Sequence, residues 1–135
     1  MPNESKKILS EISAGELLDK ISILEIKLDK IKDKNNLKEI KKEYDILNNV
    51  KNLNIKSMDK VAQLFKELKK VNINLWNTED NIRICEKDKD FGQTFIDHAR
   101  NVYLNNDKRA KIKSDINKIL GSNIVEIKEY VNYLL

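Results

Sequence analysis

The chain has 135 residues, 40% hydrophobic and 36% charged, which is enough apolar material for one core and excludes wholesale disorder. Only three glycines, one proline and one cysteine are present, which excludes an internal disulfide framework and argues against turn-rich β folds and cysteine zinc sites. The net charge of +4 comes from 23 lysines and three arginines interleaved with acids. This pattern is typical of solvated helix faces and argues against nucleic-acid binding.

The sequence also bears on the compartment of the protein. No run reaches the roughly 18 apolar residues of a membrane span, and the N-terminal stretch lacks the apolar core of a signal peptide. We therefore expect a cytoplasmic protein without a membrane span. Residues 1–135 are expected to fold as a single helical-bundle domain.

A capping box predicts the start of the first long helix. Ser13 has the residue type of an N-cap, and Glu16 follows it three positions later. A short turn is predicted ahead of it, over 8–12. The helix then carries a heptad seam of apolar residues spaced alternately four and three apart: Leu17, Ile21, Leu24, Leu28 and Ile31.

The polar stretch 33–36 predicts the first connection, and apolar spacing resumes over 37–47 for a second helix. Ser57 is a plausible N-cap for the third and longest helix, which is predicted to end near Lys87. Its seam consists of regularly spaced apolar residues: Val61, Leu64, Leu68, Val71, Leu75 and Ile82.

A second capping pattern, with Asp90 in the cap position, opens the fourth helix, which 105–107 could break or bend. Gly121 has the residue type that ends helices in a left-handed conformation. Ser122 is predicted to cap a last short helix that contains Ile124, Ile127 and Val131. Short connections between long helices favour antiparallel neighbours. The predicted fold is all-α, an antiparallel bundle of five to six helices with one long central helix, and the sustained seams also permit a dimer.

Rare residue types gather in 76–113, which contains every Trp, Arg, Cys and His of the chain. Extending the third seam from Leu75 gives Glu79, Ile82 and Glu86, and extending the fourth gives Asn106, Arg109 and Lys113. Simple register counting places Glu79 near 99–100 and Trp76 near 102–103. Arg109 and Lys113 then need other acids, and the first helix offers Glu16 and Asp19.

The candidate binding residues form one predicted polar cluster: Glu16, Asp19, Lys20, Trp76, Glu79, Arg83, Arg100, Tyr103, Asn106, Arg109 and Lys113. Such a cluster has two interpretations. It is either a small interhelical cleft in which the arginines hold an anion, or a layer of salt bridges that fixes the register of the helices. The second is favoured because ion-pair networks also gather these residues. No catalytic residue, metal site or cofactor is predicted.

Several motifs resemble one family of short bacterial proteins, a domain of unknown function. The resemblance covers most of the chain from Ser13 onward and begins with the opening segment 13–27. It continues through Leu75-Trp76, Glu79-Asp80, Ile82-Arg83, Asp90-Phe91, Ala99-Arg100, Val102-Tyr103, Asn106-Asp107, Arg109-Ala110 and Gly121-Ser122. It implies no activity, cofactor or catalytic residue.

Two functions follow as hypotheses. The first is a helical interaction or scaffold module that associates with itself or with another protein, because heptad seams are present and a catalytic signature is not. The second is a small enzyme or binding protein for an anionic metabolite, such as a nucleotide or phosphosugar, that uses the interhelical Arg/Glu cluster.

Overall fold

The computed structural model describes residues 6–134 as an all-α chain with no strand in that range. Its helices are α1 (Ala14–Lys30), α2 (Lys34–Asn54), α3 (Asp59–Lys87) and α4 (Gln93–Leu120). The predicted all-α class is confirmed, and α3 is the longest helix, with 29 residues. Within 6–134, no helix combines the length and hydropathy that a membrane crossing requires.

The start of α1 and the end of α4 have the caps that the sequence predicts. The Ser13 side chain accepts a hydrogen bond of 3.1 Å from the Glu16 amide and so satisfies a free N–H of α1. The Glu16 carboxylate does not return this bond, because it contacts Lys113 instead. At the end of α4, Gly121 adopts φ = +62°, the left-handed conformation that closes the helix.

The predicted count of five to six helices is wrong, because the described residues contain four. Residues 122–134 form no helix, and the predicted cap Ser122 has another role. Its hydroxyl accepts the backbone N–H of Ala14 at 3.1 Å and donates to the carbonyl of Ile124 at 2.9 Å. The tail therefore continues beyond α4 as irregular structure that is joined to the start of α1. The turn predicted over 8–12 is not helical either.

Three predicted boundaries shift. α4 runs unbroken through 105–107, where the Asn105 amide donates to the Asn101 carbonyl within the helix. The N-cap of α3 is Met58 rather than Ser57, and that of α4 is Gly92 rather than Asp90. Asp90 still acts locally, since its carboxylate accepts the N–H of Gly92 at 3.1 Å.

α1 is the central helix, because it packs against each of the other three. The three-residue connection 31–33 makes α1 and α2 an antiparallel hairpin, and α3 and α4 form a second one. Contacts such as Gly15 to Asn117 and Asp19 to Arg109 show that α1 also runs antiparallel to α4. It follows that α1 and α3 lie side by side in the same direction. The short connections do join antiparallel neighbours, α1 with α2 and α3 with α4, and a parallel first and third helix is what an alternating bundle produces.

The core lies between α1 and the α3–α4 hairpin. It contains a cluster of buried hydrophobic residues: Leu18, Val61, Leu64, Leu68 and Ile116. The α3 seam continues through Thr78, which is buried, and Cys85, which is also buried. The step from Val71 to Leu75 is four residues, so strict alternation of three and four continues to 78, 82 and 85. The predicted extension to Glu79 and Glu86 broke this alternation by repeating a step of four.

Candidate functional site

An aspartate sits at the centre of the bundle. Asp19 on α1 has no exposed surface, and the guanidinium of Arg109 on α4 binds both of its carboxylate oxygens. The Nε–Oδ1 distance is 2.9 Å, and Nη2 contacts Oδ2. This paired geometry is the strongest ion pair that an arginine forms, and it fixes the rotation of α4 relative to α1.

α3 joins the same centre through an amide. The Asn72 Nδ2 group donates to Asp19 Oδ1 at 2.9 Å and to Ser22 Oγ at 2.7 Å. The Ser22 hydroxyl donates to the backbone carbonyl of Asp19 at 2.8 Å. Three helices thus meet at one buried carboxylate. Within residues 6–134, no buried side-chain nitrogen or oxygen lacks a hydrogen-bond partner.

A lysine extends the cluster toward the surface. Lys113 Nζ lies 2.7 Å from Glu16 Oε2, 3.7 Å from Asp19 Oδ2 and 3.4 Å from Glu126 Oε2. Glu126 in the C-terminal tail also pairs with Lys128 at 2.8 Å. We call the connected set Glu16, Asp19, Ser22, Asn72, Arg109 and Lys113 the Asp19 network. The expectation that Arg109 and Lys113 find their acids on the first helix is confirmed.

The network keeps Asp19 ionised. Burial by itself would raise the pKa of the Asp19 carboxyl. The hydrogen bonds from Arg109 and Asn72 and the charges of Arg109 and Lys113 outweigh burial, so this pKa lies below its usual value. The hydrogen bond to Asp19 in turn raises the pKa of Arg109.

The N-terminus of α1 is closed by polar groups near the C-terminus of α4. The Gly15 N–H donates to Asn117 Oδ1 at 2.6 Å, and the Ala14 N–H donates to Ser122 Oγ at 3.1 Å. With Ser13 capping Glu16, the amides of the first turn already have partners. They are therefore not free to bind an anion.

An open cleft of about 400 Å³ lies beside the network, between α1, α3 and α4. Five residues of the predicted polar cluster line its walls: Trp76, Glu79, Arg83, Asn106 and Arg109. We call it the Trp76 cleft. Trp76 and Asn106 both line this cleft, whereas 102–103, which the predicted register places near Trp76, do not.

The remaining candidates lie elsewhere. Arg100 is exposed and does not line the Trp76 cleft. Tyr103 stacks edge-to-face on Tyr133 of the tail, with ring centroids 5.5 Å apart. Lys20 is largely exposed and reaches Glu16 only at 3.7 Å. The predicted cluster is therefore divided between a buried network, a neighbouring cleft and the outer surface.

The charges around the cleft are largely paired. Arg83 binds Glu79 of its own helix at 2.7 Å, while Arg109 and Lys113 bind carboxylates of α1. An incoming anion would have to compete with these acids. In the part of the chain that the structure describes, no group of three His, Cys, Asp or Glu side chains could hold a metal ion. The geometry therefore resembles a structural ion-pair layer more closely than an anion site.

Several residues of the Asp19 network and of its immediate surroundings were not predicted from the sequence. Asn72 and Ser22 are buried polar residues that flank apolar seam positions, and Asn117 follows the buried Ile116. A polar residue beside a seam is the only signal that could have identified them. Glu126 was missed because its segment was predicted to be a helix.

The sequence of residues 8–134 matches the family described as "Family of unknown function (DUF6165)". No curated protein and no solved structure matches the chain. The match covers nearly all of the sequence, from before α1 to the end of the tail, and it brings no activity with it. The chain belongs to the DUF6165 family.

Proposed function

We propose that this protein is a helical interaction module that associates with a second copy of itself through the outer face of α2. The observation that carries the proposal is a row of apolar side chains on that face: Ile46, Val50 and Leu53. Ile46 is 56% exposed and Leu53 is 77% exposed. We call this row the α2 stripe.

The position of α2 in the fold supports the proposal. None of its 21 residues is buried, and within residues 6–134 its backbone packs along α1 only. The half-buried residues Ile40, Tyr44 and Leu47 face α1. With about 100° of rotation per residue, the centre of the stripe lies about 120° around the helix from this face, on the solvent-exposed side. Its spacing of four and three residues suits helix-to-helix packing.

The low charge around the α2 stripe supports a second copy of the protein as the partner that binds there. The segment 46–55 contains a single charged residue, Lys51, although 36% of the whole chain is charged. Depletion of charge is typical of the centre of a protein interface. Because the stripe itself is neutral, two copies can approach each other there without like-charge repulsion.

The heptad seam of α1 does not supply this interface. Leu17, Ile21 and Leu24 are buried inside the bundle against the other helices. Three aliphatic side chains on α2 cover less than the roughly 800 Å² per partner of a stable complex. The expected association is therefore weak and depends on protein concentration.

Sedimentation equilibrium over a concentration series tests the proposal. The apparent mass is expected to rise from 15.8 kDa toward twice that value. Val50→Lys/Leu53→Lys should keep the protein monomeric, because both positions are exposed in the monomer. Val125→Lys/Ile127→Lys is the matched control, since it adds the same charge at exposed apolar positions of the tail. A wild-type protein that stays monomeric throughout refutes the proposal.

One observation favours the second candidate, an anionic metabolite held in the Trp76 cleft. The Arg109 side chain is 28% exposed, and its Nη1 contacts only Asn106 Oδ1, at 3.5 Å, among the described residues. A phosphate could accept from Nη1 while a base stacks on Trp76. A thermal-shift screen of nucleotides and phosphosugars tests it: stabilisation that Trp76→Ala abolishes would support it, and an absence of any shift would refute it.

A further inference from the structure

A second apolar surface lies on the inner side of α2. A groove of about 520 Å³ opens between the C-terminal turns of α2 and the N-terminal half of α3, with α1 at its base. Leu18, Val61 and Phe65 contribute to its apolar floor, and Met58 lies at its end. We call it the lysine groove, after four lysines that also line it: Lys51, Lys56, Lys66 and Lys69.

The groove exists because α2 and α3 diverge. Only 55–58 connect them, yet within residues 6–134 their backbones do not pack against each other. α1 is therefore covered by α2 on one side and by the α3–α4 hairpin on the other, with an open corner between α2 and α3. An added helix in that corner would complete a bundle around α1.

The charged residues that line the lysine groove are mostly positive, unlike the mixed charges of the Trp76 cleft. Glu25 is the only acidic side chain among its lining residues. Glu25 is already engaged, since it accepts from Lys69 at 2.9 Å and from Tyr44 at 3.4 Å. Lys51, Lys56 and Lys66 form no ion pair with any carboxylate of the described range. Lys51 instead lies over the ring of Phe65, at 6.0 Å from its centroid.

We propose that the lysine groove binds an amphipathic helix with acidic flanks from a partner protein. An apolar floor open to solvent along one side accommodates the apolar face of a helix, as in other helix-in-groove complexes. The lysines would then face glutamates and aspartates on the edges of that helix. The α2 stripe lies on the opposite side of α2, so this proposal does not depend on self-association.

The probe is a synthetic, fluorescently labelled 18-residue helix with leucines on one face and glutamates on the other. A second peptide replaces each glutamate with lysine. Fluorescence anisotropy of the full-length protein, kept dilute so that self-association does not contribute, should show saturable binding of the acidic peptide. The lysine peptide should not bind, and binding of the acidic peptide should weaken as salt is raised.

Three variants locate the site. Lys56→Glu/Lys66→Glu should weaken binding of the acidic peptide by about tenfold or more. Lys108→Glu/Lys118→Glu changes the net charge equally at exposed positions of α4 and should have less than about a twofold effect. Met58→Asp places a negative charge at the groove while supplying a favourable N-cap for α3, so it should fold normally and also weaken binding.

Other outcomes would overturn the proposal. Equal losses in the groove variant and the α4 control would mean that the peptide responds only to net charge. The same conclusion follows if both peptides bind equally or neither binds. Dodecanoate is the final probe: if it binds with sensitivity to Lys56→Glu/Lys66→Glu while the acidic peptide does not bind, the groove accepts an acyl chain rather than a helix.

Discussion

Gly15 on α1 lies so close to Lys113 on α4 that an added Cβ would be 2.6 Å from the Lys113 carbonyl oxygen. The same Cβ would be 2.9 Å from the Asn117 side-chain oxygen, which is the acceptor for the Gly15 N–H. The missing side chain therefore lets two helices approach closely enough to share a hydrogen bond. This contact brings Glu16 and Asp19 within reach of the cations on α4.

Gly15→Ala should destabilise the protein, although alanine is favoured over glycine inside helices by roughly 1 kcal/mol. The added methyl group meets backbone, which must shift, and overpacking of this kind costs about 1–3 kcal/mol. Urea unfolding followed by circular dichroism measures the change. Gly92→Ala serves as the control, because its Cβ would meet only an Asp90 carboxylate oxygen at 3.3 Å. If Gly15→Ala were as stable as the wild type, the close helix approach would be wrong.

Removal of Arg109 should be far more damaging than removal of Arg83. Arg109→Gln leaves the Asp19 carboxylate buried without its main partner, and such a loss costs about 3–5 kcal/mol. Arg83 forms an exposed pair within one helix, so Arg83→Gln should cost less than about 0.5 kcal/mol. Free energies of unfolding from urea titrations compare the two variants directly.

The double variant Asp19→Asn/Arg109→Gln tests whether the two residues act as a pair. Because it removes the buried charge together with its partner, it should be more stable than the sum of the single changes predicts. The difference is the coupling free energy, expected at about 1–3 kcal/mol. Strict additivity would show that Arg109 acts through its packing alone.

Acid should weaken the protein through Asp19. A carboxyl group whose pKa is lower in the folded than in the unfolded chain stabilises the folded state. This contribution is complete when the pH is above the pKa of the unfolded chain, and it is lost as the pH falls through the pKa of the folded chain. For Asp19 the loss begins near its ordinary pKa of 3.8 and continues below it. The stability advantage of the wild type over Asp19→Asn should therefore be constant above about pH 5 and shrink below pH 4.

Hydrogen exchange should rank α2 as the least protected helix. It has no buried residue, whereas α1 and α3 each bury eight. Elements with few buried contacts open at lower free energy than the core. Exchange of dilute protein, followed by mass spectrometry of peptides from 34–54, measures this. Protection of α2 equal to that of α1 under these conditions would contradict the packing, whereas protection that appears only at high concentration would support self-association.

The sequence indicates the helices well where the apolar spacing is regular. The apolar spacing from Leu17 to Ile31 predicts α1, and the spacing from Val61 to Leu75 predicts much of α3. Both predictions succeed because the burial of regularly spaced apolar side chains determines where these helices form. Beyond Leu75, strict alternation continues with a step of three to Thr78, and the prediction of Glu79 came from repeating a step of four. The structure selects Thr78, which is buried, and leaves Glu79 at the edge of the cleft.

Long-range polar contacts were only partly predictable. The need of Arg109 for an acid on the first helix followed from its position on a polar seam, but the roles of Asn72 and Asn117 depend on how three helices meet. The tail was predicted to be a helix because Ile124, Ile127 and Val131 have helical spacing. Its Ser122 and Glu126 instead contact Ala14 and Lys113, and these contacts hold the segment along the bundle.

The hydrogen bond between Ala14 and Ser122 spans 108 positions of the chain. During synthesis, α1 leaves the ribosome before the other three helices and can pair with α2, yet Asp19 has no cation of its network until Arg109 follows, 90 residues later. Contacts of such separation form late, because a long segment must be ordered before they can close. The hairpin of α1 and α2 therefore emerges with the side of α1 that faces α3 and α4 uncovered, and the Asp19 network cannot close until α4 has been synthesised.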